Sequence, residues 1–287
     1  VKGDIYGKDK IMLGIVGEDM TLVESEYGNI VVFEAAGRLC SYNVTTNKLT
    51  LLFSFYEDQS QNAGTMWDAR EMYQKYDLKI LDVDEGNNIQ FAVYGYMNRG
   101  RHEGEVGIQI YAYNSEQNTI EELVYIPYDK TYEILKQELE QLLYLNREGK
   151  LYLYLDHGIY EVDTMERTSE RIALVENDEA MVISGNHKIV VWYQDQALQI
   201  MNLGTEQVTR IDVGADEEGR PLGFMGEDII YGVAKRKDVV SDGMGRQLFP
   251  MYQVCIRDAS GKLLEAYEKD NIYTLSCQVG ENQITLE

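Results

Sequence analysis

The chain has 287 residues, 44% of them apolar, and carries 49 Asp plus Glu against 26 Lys plus Arg, a formal charge of −23. That apolar content supports a substantial core and excludes a disordered chain. The charge repels polyphosphate and anionic lipid, which disfavours general nucleic-acid binding and adhesion to an anionic membrane surface. No apolar run approaches the roughly eighteen residues of a spanning helix, so no direct membrane insertion is expected. Three cysteines, Cys40, Cys255 and Cys277, are too few for a disulfide framework and read as small buried apolar residues.

One unit recurs along the chain. An apolar residue is followed four positions later by Asn or Asp, then by a polar turn and a second short strand. The copies are Leu39 to Asn43, Ile110 to Asn114, Ile159 to Asp163, Leu198 to Asn202 and Val254 to Asp258. The Asn or Asp has a mechanical reason, because its short side chain bonds backbone two residues on and tolerates the turn conformation. Each copy follows an extended apolar segment: Ile30 to Phe33, Ile89 to Val93, Leu151 to Leu155, Ile189 to Tyr193 and Ile229 to Tyr231. Before each of those lies another apolar stretch and a tight polar turn. Each unit therefore reads as four short antiparallel strands, a to d. The turn Asp82 to Asn88 has oxygen-rich spacing loosely like a calcium loop, and reads as a hairpin because the terminal Glu is missing. A sixth copy begins at Ile272-Tyr273-Thr274-Leu275, turns at Gly280 to Asn282 and breaks off at Glu287. Residues 9–24, with Ile11-Met12-Leu13-Gly14-Ile15-Val16 and Leu22-Val23, could supply part of what it lacks by closing a ring. With Val1 at the start and a strand pattern cut at Glu287, residues 1–287 read as a single domain cut from a longer chain.

The anchors Asn43, Asn114, Asp163, Asn202 and Asp258 fall 71, 49, 39 and 56 residues apart. A four-stranded unit at about 40–50 residues matches a propeller blade. The chain thus resembles WD40-like or TolB-type β-propellers over most of its length. The resemblance is architectural. The Trp-Asp dipeptide of true WD repeats is absent from the c-strand ends, and Trp67-Asp68 sits in a connecting segment. The resemblance implies an all-β fold, a β-propeller of four-stranded antiparallel blades, six expected with five or seven as alternatives. It brings no family active site. A pair of β-sandwich or meander domains is the rival architecture.

The connections differ in length by type. The a–b and c–d connections are short, and the long ones are b–c or d–a, which lie on one face of a propeller. Insertions confined to one face of a repeat fold mark a binding face. Apolar positions 69, 72, 73 and 76 fit a helix in the crossover 56–77, and Tyr132, Ile134, Leu135, Leu139 and Leu142 fit another in 127–141. On this face the candidate ligand-binding residues are Arg99, Arg101, His102 and Glu103, whose guanidiniums suit a carboxylate or phosphate. The others are Trp67, Arg70 and Tyr73, an aromatic platform with Tyr76 and Tyr128, and the basic triple Lys235, Arg236 and Lys237. Acidic clusters at 176–179 and 216–218 read as solvated crossover loops. His157 and His187 read as lone turn residues. No nucleophile elbow, P-loop, dinucleotide or zinc motif occurs, so no catalytic residue, metal or cofactor is assigned.

The sequence reading is a non-enzymatic binding or scaffold propeller from a bacterial extracytoplasmic or cell-surface protein, monomeric, binding a protein, peptide or glycan on the inserted face. The alternatives are a carbohydrate-active hydrolase or lyase with its site at the channel mouth, and a purely structural spacer.

Overall fold

The computed structural model describes residues 2–3, 10–11, 20–24, 29–35, 37–54, 75–97, 100–175, 181–241, 247–280 and 282–287. Two short strands come first, β1 (Lys2–Gly3) and β2 (Lys10–Ile11), paired antiparallel with each other. Then come β3 (Met20–Glu24), β4 (Ile30–Ala35), β5 (Arg38–Asn43) and β6 (Lys48–Ser54), and β7 (Tyr76–Val83), β8 (Ile89–Tyr96), β9 (Val106–Asn114) and β10 (Thr119–Tyr128). After helix α1 (Tyr132–Gln141) follow β11 (Leu143–Leu145), β12 (Lys150–Leu155), β13 (Gly158–Asp163) and β14 (Thr168–Leu174). The next four are β15 (Met181–Ile183), β16 (Ile189–Gln194), β17 (Ala197–Asn202) and β18 (Gln207–Asp212). The last stretch holds β19 (Glu217–Met225), β20 (Asp228–Lys235), a small hairpin of β21 (Val240–Ser241) and β22 (Gln247–Leu248), then β23 (Met251–Arg257), β24 (Leu263–Glu268), β25 (Cys277–Val279) and β26 (Ile284–Leu286).

The described residues form five four-stranded antiparallel sheets, each made of four strands consecutive in the chain apart from the β21–β22 insertion. The a, b, c and d strands of the sequence pattern are these four in order. The fold is all-β, as expected. By contact density the chain divides into two compact units, Val1–Gln137 and Glu138–Glu287, with the division inside α1.

Burial follows strand position. The b strands β8, β12, β16 and β20 are nearly continuous apolar runs, such as Ile89–Tyr96 and Lys150–Leu155, and are buried along most of their length. The d strands alternate weakly and stay exposed, with Glu121, Glu122, Glu170, Arg171, Arg210 and Asp212 on them. Charge on an edge strand discourages pairing with a stray chain. In the first unit Phe53, Phe91 and Tyr111 form an aromatic cluster with ring centroids 5.0–5.2 Å apart. In the second, Leu142, Tyr152, Tyr154, Ile159, Val190 and Trp192 share one cluster, and Val191, Leu198, Ile229 and Tyr231 another.

The Asn/Asp anchors do what their chemistry predicts. Asn43 Oδ1 accepts the N–H groups of Thr45 and Thr46, Asp163 Oδ1 those of Met165 and Glu166, and Asn202 Oδ1 those of Gly204 and Thr205. Asn114 caps Gln117, and Asp258 caps Ser260 and Lys262. Each turn then needs one residue in the left-handed region. Asn47, Asn118, Arg167 and Glu206 take it four positions after the anchor, at φ 51–59°, and Gly261 takes it three after. Asp163→Ala, which removes two bonds to backbone, is expected to lower unfolding free energy by about 1 kcal/mol. Urea denaturation measures it, and an unchanged midpoint would show that the anchor is dispensable.

Three readings are corrected here. Leu22-Val23 belong to β3, the first strand of the first sheet, paired with β4, so they are not available to complete a sixth unit. Residues 4–9 and 12–19 lie outside the described residues. The sixth copy's first strand is β25, several residues later than Ile272–Leu275. Thr274 makes only an isolated bridge to Met251, because the apolar residues on either side of it face solvent instead of a sheet. Tyr76 is buried in the first unit's core, so it is no part of an exposed platform. The helix expected in 127–141 is present as α1. Leu135 and Leu139 are buried, whereas Ile134 faces out. The helix expected in 56–77 falls almost wholly outside the described residues. Among the described residues, no helix is long and apolar enough to cross a membrane.

Candidate functional site

In an antiparallel four-strand sheet, the b–c and d–a connections leave from the same end. At that end of the sheet β7–β10 lies the hairpin 97–105. Its backbone is closed by Met97 N–H to Glu105 O and Gly104 N–H to Met97 O, both 2.8 Å, and Met97 is buried beneath it. His102 folds back, with its ring parallel to Tyr125 at 3.6 Å and 13°. Its Nδ1 lies 3.2 Å from Glu105 Oε2. Burial, then the neighbouring Glu105 carboxylate, pushes the Tyr125 phenol well above its ordinary range. His102 therefore ties the hairpin to β10, and it does not converge with Arg101. Arg101 and Glu103 are exposed at the tip, and Arg101 makes no hydrogen bond or ion pair with a described residue. Arg99, Trp67, Arg70 and Tyr73 lie outside the described residues. Tyr128 ends β10, half-buried.

Beside the hairpin, α1 is fastened to β7. Tyr132 donates to Asp77 Oδ2 at 2.8 Å, and Lys136 Nζ lies 2.8 Å from the same oxygen. Lys75 pairs with Glu133 at 2.6 Å, which holds that carboxyl below its ordinary value. The position of Glu133 in the first turn also suits the helix dipole.

The same end of the sheet β19-β20-β23-β24 carries the basic triple, and two of its three cations are already partnered. Glu217 and Lys235 face each other directly across β19 and β20. Lys235 Nζ donates to Glu217 Oε1 at 2.5 Å, Tyr252 donates to the same oxygen at 2.8 Å, and the ammonium sits 4.6 Å over the Tyr252 ring. Arg236 lies 3.4 Å from Glu218 Oε1. Tyr193 reaches Glu217 O at 3.4 Å. Lys237 is exposed and pairs with no described residue. The sequence reading took Asp216 to Glu218 as a solvated loop. Instead Glu217 and Glu218 open β19, and the pattern missed them because the matching cations lie eighteen residues on, a spacing set by strand pairing.

Burial raises the Glu217 carboxyl, but the bonds from Lys235 and Tyr252 outweigh it and the net shift is downward. Burial and the bond to Glu217 push the Tyr252 phenol up to about 12. A depressed carboxyl contributes stability above its unfolded pKa and loses it as pH falls through the folded one. The stability gap between wild type and Glu217→Gln is therefore expected at pH 7 and to narrow as acidification protonates the folded-state carboxyl. Thermal melts at neutral and acidic pH measure it, and a gap that widens on acidification would contradict the assignment.

A second network lies at the opposite end of the sheets, where the pattern predicted only short turns. Lys150 Nζ bridges Glu161 at 2.9 Å and Glu206 at 3.0 Å, and Tyr152 donates to Glu161 Oε2 at 3.0 Å. Asn146 Nδ2 reaches Leu203 O at 3.2 Å. Together they stitch β11–β14 to β15–β18. The turn Asp84–Asn88 is a hairpin: both Asp84 carboxylate oxygens accept from Asn88, at 2.8 and 2.9 Å. No cluster of three or more His, Cys, Asp or Glu suited to a metal occurs among the described residues. His157 and His187 sit in turns at positive φ. Cys255 is buried, Cys40 and Cys277 are half-buried, and burial raises all three thiols.

No protein-family model and no curated protein matches the chain. Among solved structures, the chain is similar to an oligogalacturonate lyase in complex with manganese, at 12% identity over 57% of this chain and 41% of that one, TM-score 0.35. It is similar to the oligogalacturonate lyase of Vibrio parahaemolyticus at 12% identity over 62% and 47%, TM-score 0.37. It is also similar to Porphyromonas gingivalis dipeptidyl peptidase 4 at 8% identity over 89% and 47%, TM-score 0.35. The chain spans less than half the length of each of these three.

Proposed function

We propose that the four-stranded sheets are blades of a β-propeller, six in number with β25–β26 opening the last. We propose further that this is a non-enzymatic binding domain of a bacterial extracytoplasmic protein, taking a protein, peptide or glycan at the b–c and d–a ends of its sheets. The observation that carries the reading is the partition of connection lengths. Among the described sheets, a–b and c–d turns such as 84–88, 164–167 and 258–262 are short, while the connections 97–105, 129–142 and 236–250 are longer and all leave from the b–c and d–a end. Loops lengthened at one end of a rigid scaffold are where binding residues concentrate.

Among the described candidates, Arg101 on one hairpin and Lys237 on the other are free to reach a ligand, because His102, Lys235 and Arg236 are engaged by Tyr125, Glu105, Glu217 and Glu218. Arrays of neutral and acidic oligosaccharides and of acidic peptides, probed with labelled protein, test the reading. At least one class should be retained by wild type and lost by Arg101→Ala or by Lys237→Ala, with melting temperature unchanged. Equal retention by both variants would move the ligand elsewhere on the surface.

A further inference from the structure

We propose that the Tyr125 ring is a stacking platform for a histidine or tryptophan side chain of a peptide ligand, and that His102 covers this platform in the unliganded chain. The proposal rests on the reading of the b–c ends as the binding end, and it narrows the ligand there to a peptide.

The platform depends on a missing side chain on the neighbouring strand. Tyr125 of β10 pairs with Gln109 of β9, but its ring reaches along β9 to Gly107. A Cβ on Gly107 would stand 2.6 Å from the Tyr125 hydroxyl and 2.7 Å from its Cε2. Gly107 lies inside β9 and its φ is not in the left-handed region, so glycine supplies space there and not backbone freedom. The Tyr125 hydroxyl donates to Val106 O at 3.3 Å, which pins the far end of the ring.

What lies on that ring indicates what it can hold. His102 stacks on it at 3.6 Å and 13°, and the His102 Nδ1 lies 3.2 Å from Glu105 Oε2. The site therefore offers an aromatic face with a carboxylate acceptor at its edge. A flat ring with an N–H on its rim satisfies both, and imidazole and indole are the side chains that have one. A phenyl ring leaves the carboxylate unused, and a puckered sugar ring cannot lie parallel over its whole area.

The cover is lightly held. In the tip 100–104 the bond from Glu103 N–H to Gly100 O is internal, and the bond from Gly104 N–H to Met97 O lies at its foot. Gly100 and Gly104 have φ of +85° and +94°, and a Cβ on either would meet nothing within 4 Å. The His102 side chain, itself 25% exposed, brings this tip to β10. Segments with few packed contacts open more readily than the sheet beneath them. A short tether presents its own ring at an effective concentration of about millimolar, so a peptide must displace it. Removing the cover should then increase binding, the opposite sign to Arg101→Ala.

The test is a chemical-shift titration of the ¹⁵N-labelled chain with the capped peptide Gly-Arg-His-Glu-Gly, which copies residues 100–104. His102→Ala should bind it about tenfold more tightly than wild type, with shifts centred on Gly107 and Tyr125. The peptide Gly-Arg-Ala-Glu-Gly should produce no such shifts. Tyr125→Leu, added to His102→Ala, should abolish binding. Glu105→Gln in the same background leaves the ring in place and should weaken binding about fivefold, so the assignment does not depend on the Tyr125 variant folding. Equal affinity of wild type and His102→Ala, equal shifts from the alanine peptide, or shifts centred elsewhere would overturn the proposal. Binding of an oligosaccharide and of no peptide by His102→Ala would assign the platform to a glycan and overturn it too. A ligand lost with Arg101→Ala but unaffected by His102→Ala would remove the platform alone and leave the b–c reading standing.

Discussion

Gly95→Ala is expected to cost about 3 kcal/mol or more, and to lower the melting temperature by on the order of 10 °C. Two effects add. Gly95 has φ +126°, a region that L side chains rarely adopt, so any Cβ strains the backbone there. A Cβ would also stand 2.3 Å from Lys75 O, 2.7 Å from Tyr76 Cα and 2.7 Å from the Tyr132 ring. Two of those neighbours are backbone of β7 and the residue before it, which cannot swing aside as a side chain tip can. The third belongs to the first turn of α1, so relief by moving Tyr132 would loosen its bond to Asp77. Gly100→Ala is the matched control. It has φ +85° and nothing within 4 Å of the added carbon, so it should cost only about 1 kcal/mol. Equal costs for the two substitutions would show that the close approach at Gly95 is relieved without loss.

Tyr152→Ala is the second large effect, about 4 kcal/mol, against about 1 kcal/mol for Tyr152→Phe. The Tyr152 ring is fully buried on β12, in the cluster with Leu142, Ile159 and Trp192, so truncation opens a cavity between β11–β14 and β15–β18. Phenylalanine keeps the ring and loses only the bond from the hydroxyl to Glu161 at 3.0 Å. Burial, then Glu161, raises that phenol far above its ordinary range, so it stays a donor across the working pH range. Chemical denaturation of the three proteins separates packing from the polar stitch. If the phenylalanine variant falls as far as the alanine variant, the Lys150, Glu161 and Glu206 network and not the ring is what joins the two sheets.

The repeat was legible because its punctuation is local. An Asn or Asp that caps the next two amides acts within four residues, so Asn43, Asn114, Asp163, Asn202 and Asp258 betray their turns without any knowledge of neighbours. The buried b strands are also local signals, since continuous apolar runs such as 151–155 have few other uses. α1 could be read from Leu135, Leu139 and Leu142 at helical spacing.

Signals that depend on distant partners were not legible. Ile272–Leu275 looks like a strand by composition, but a strand needs a ladder, and only Thr274 finds a bridge. Leu22-Val23 carries no mark of which sheet it will join. At the candidate site, Lys235 and Arg236 read as a free basic patch because their carboxylates arrive from the start of β19, across a strand pairing that one-dimensional spacing does not display. His102 reads in the sequence as a ligand-binding residue, and it is held by Tyr125 from a strand more than twenty residues away.

The capped c–d turns have a consequence for how such a chain can change over time. Each turn takes its cap from its own strand end and its left-handed residue from its own loop, so its geometry does not refer to the opposite end of the sheet. Residues can therefore be gained or lost at the b–c end without shifting the inside-outside phase of the c–d ladder. The hairpins 97–105 and 236–250, beside the two-residue turns 156–157 and 195–196, illustrate that freedom within one molecule.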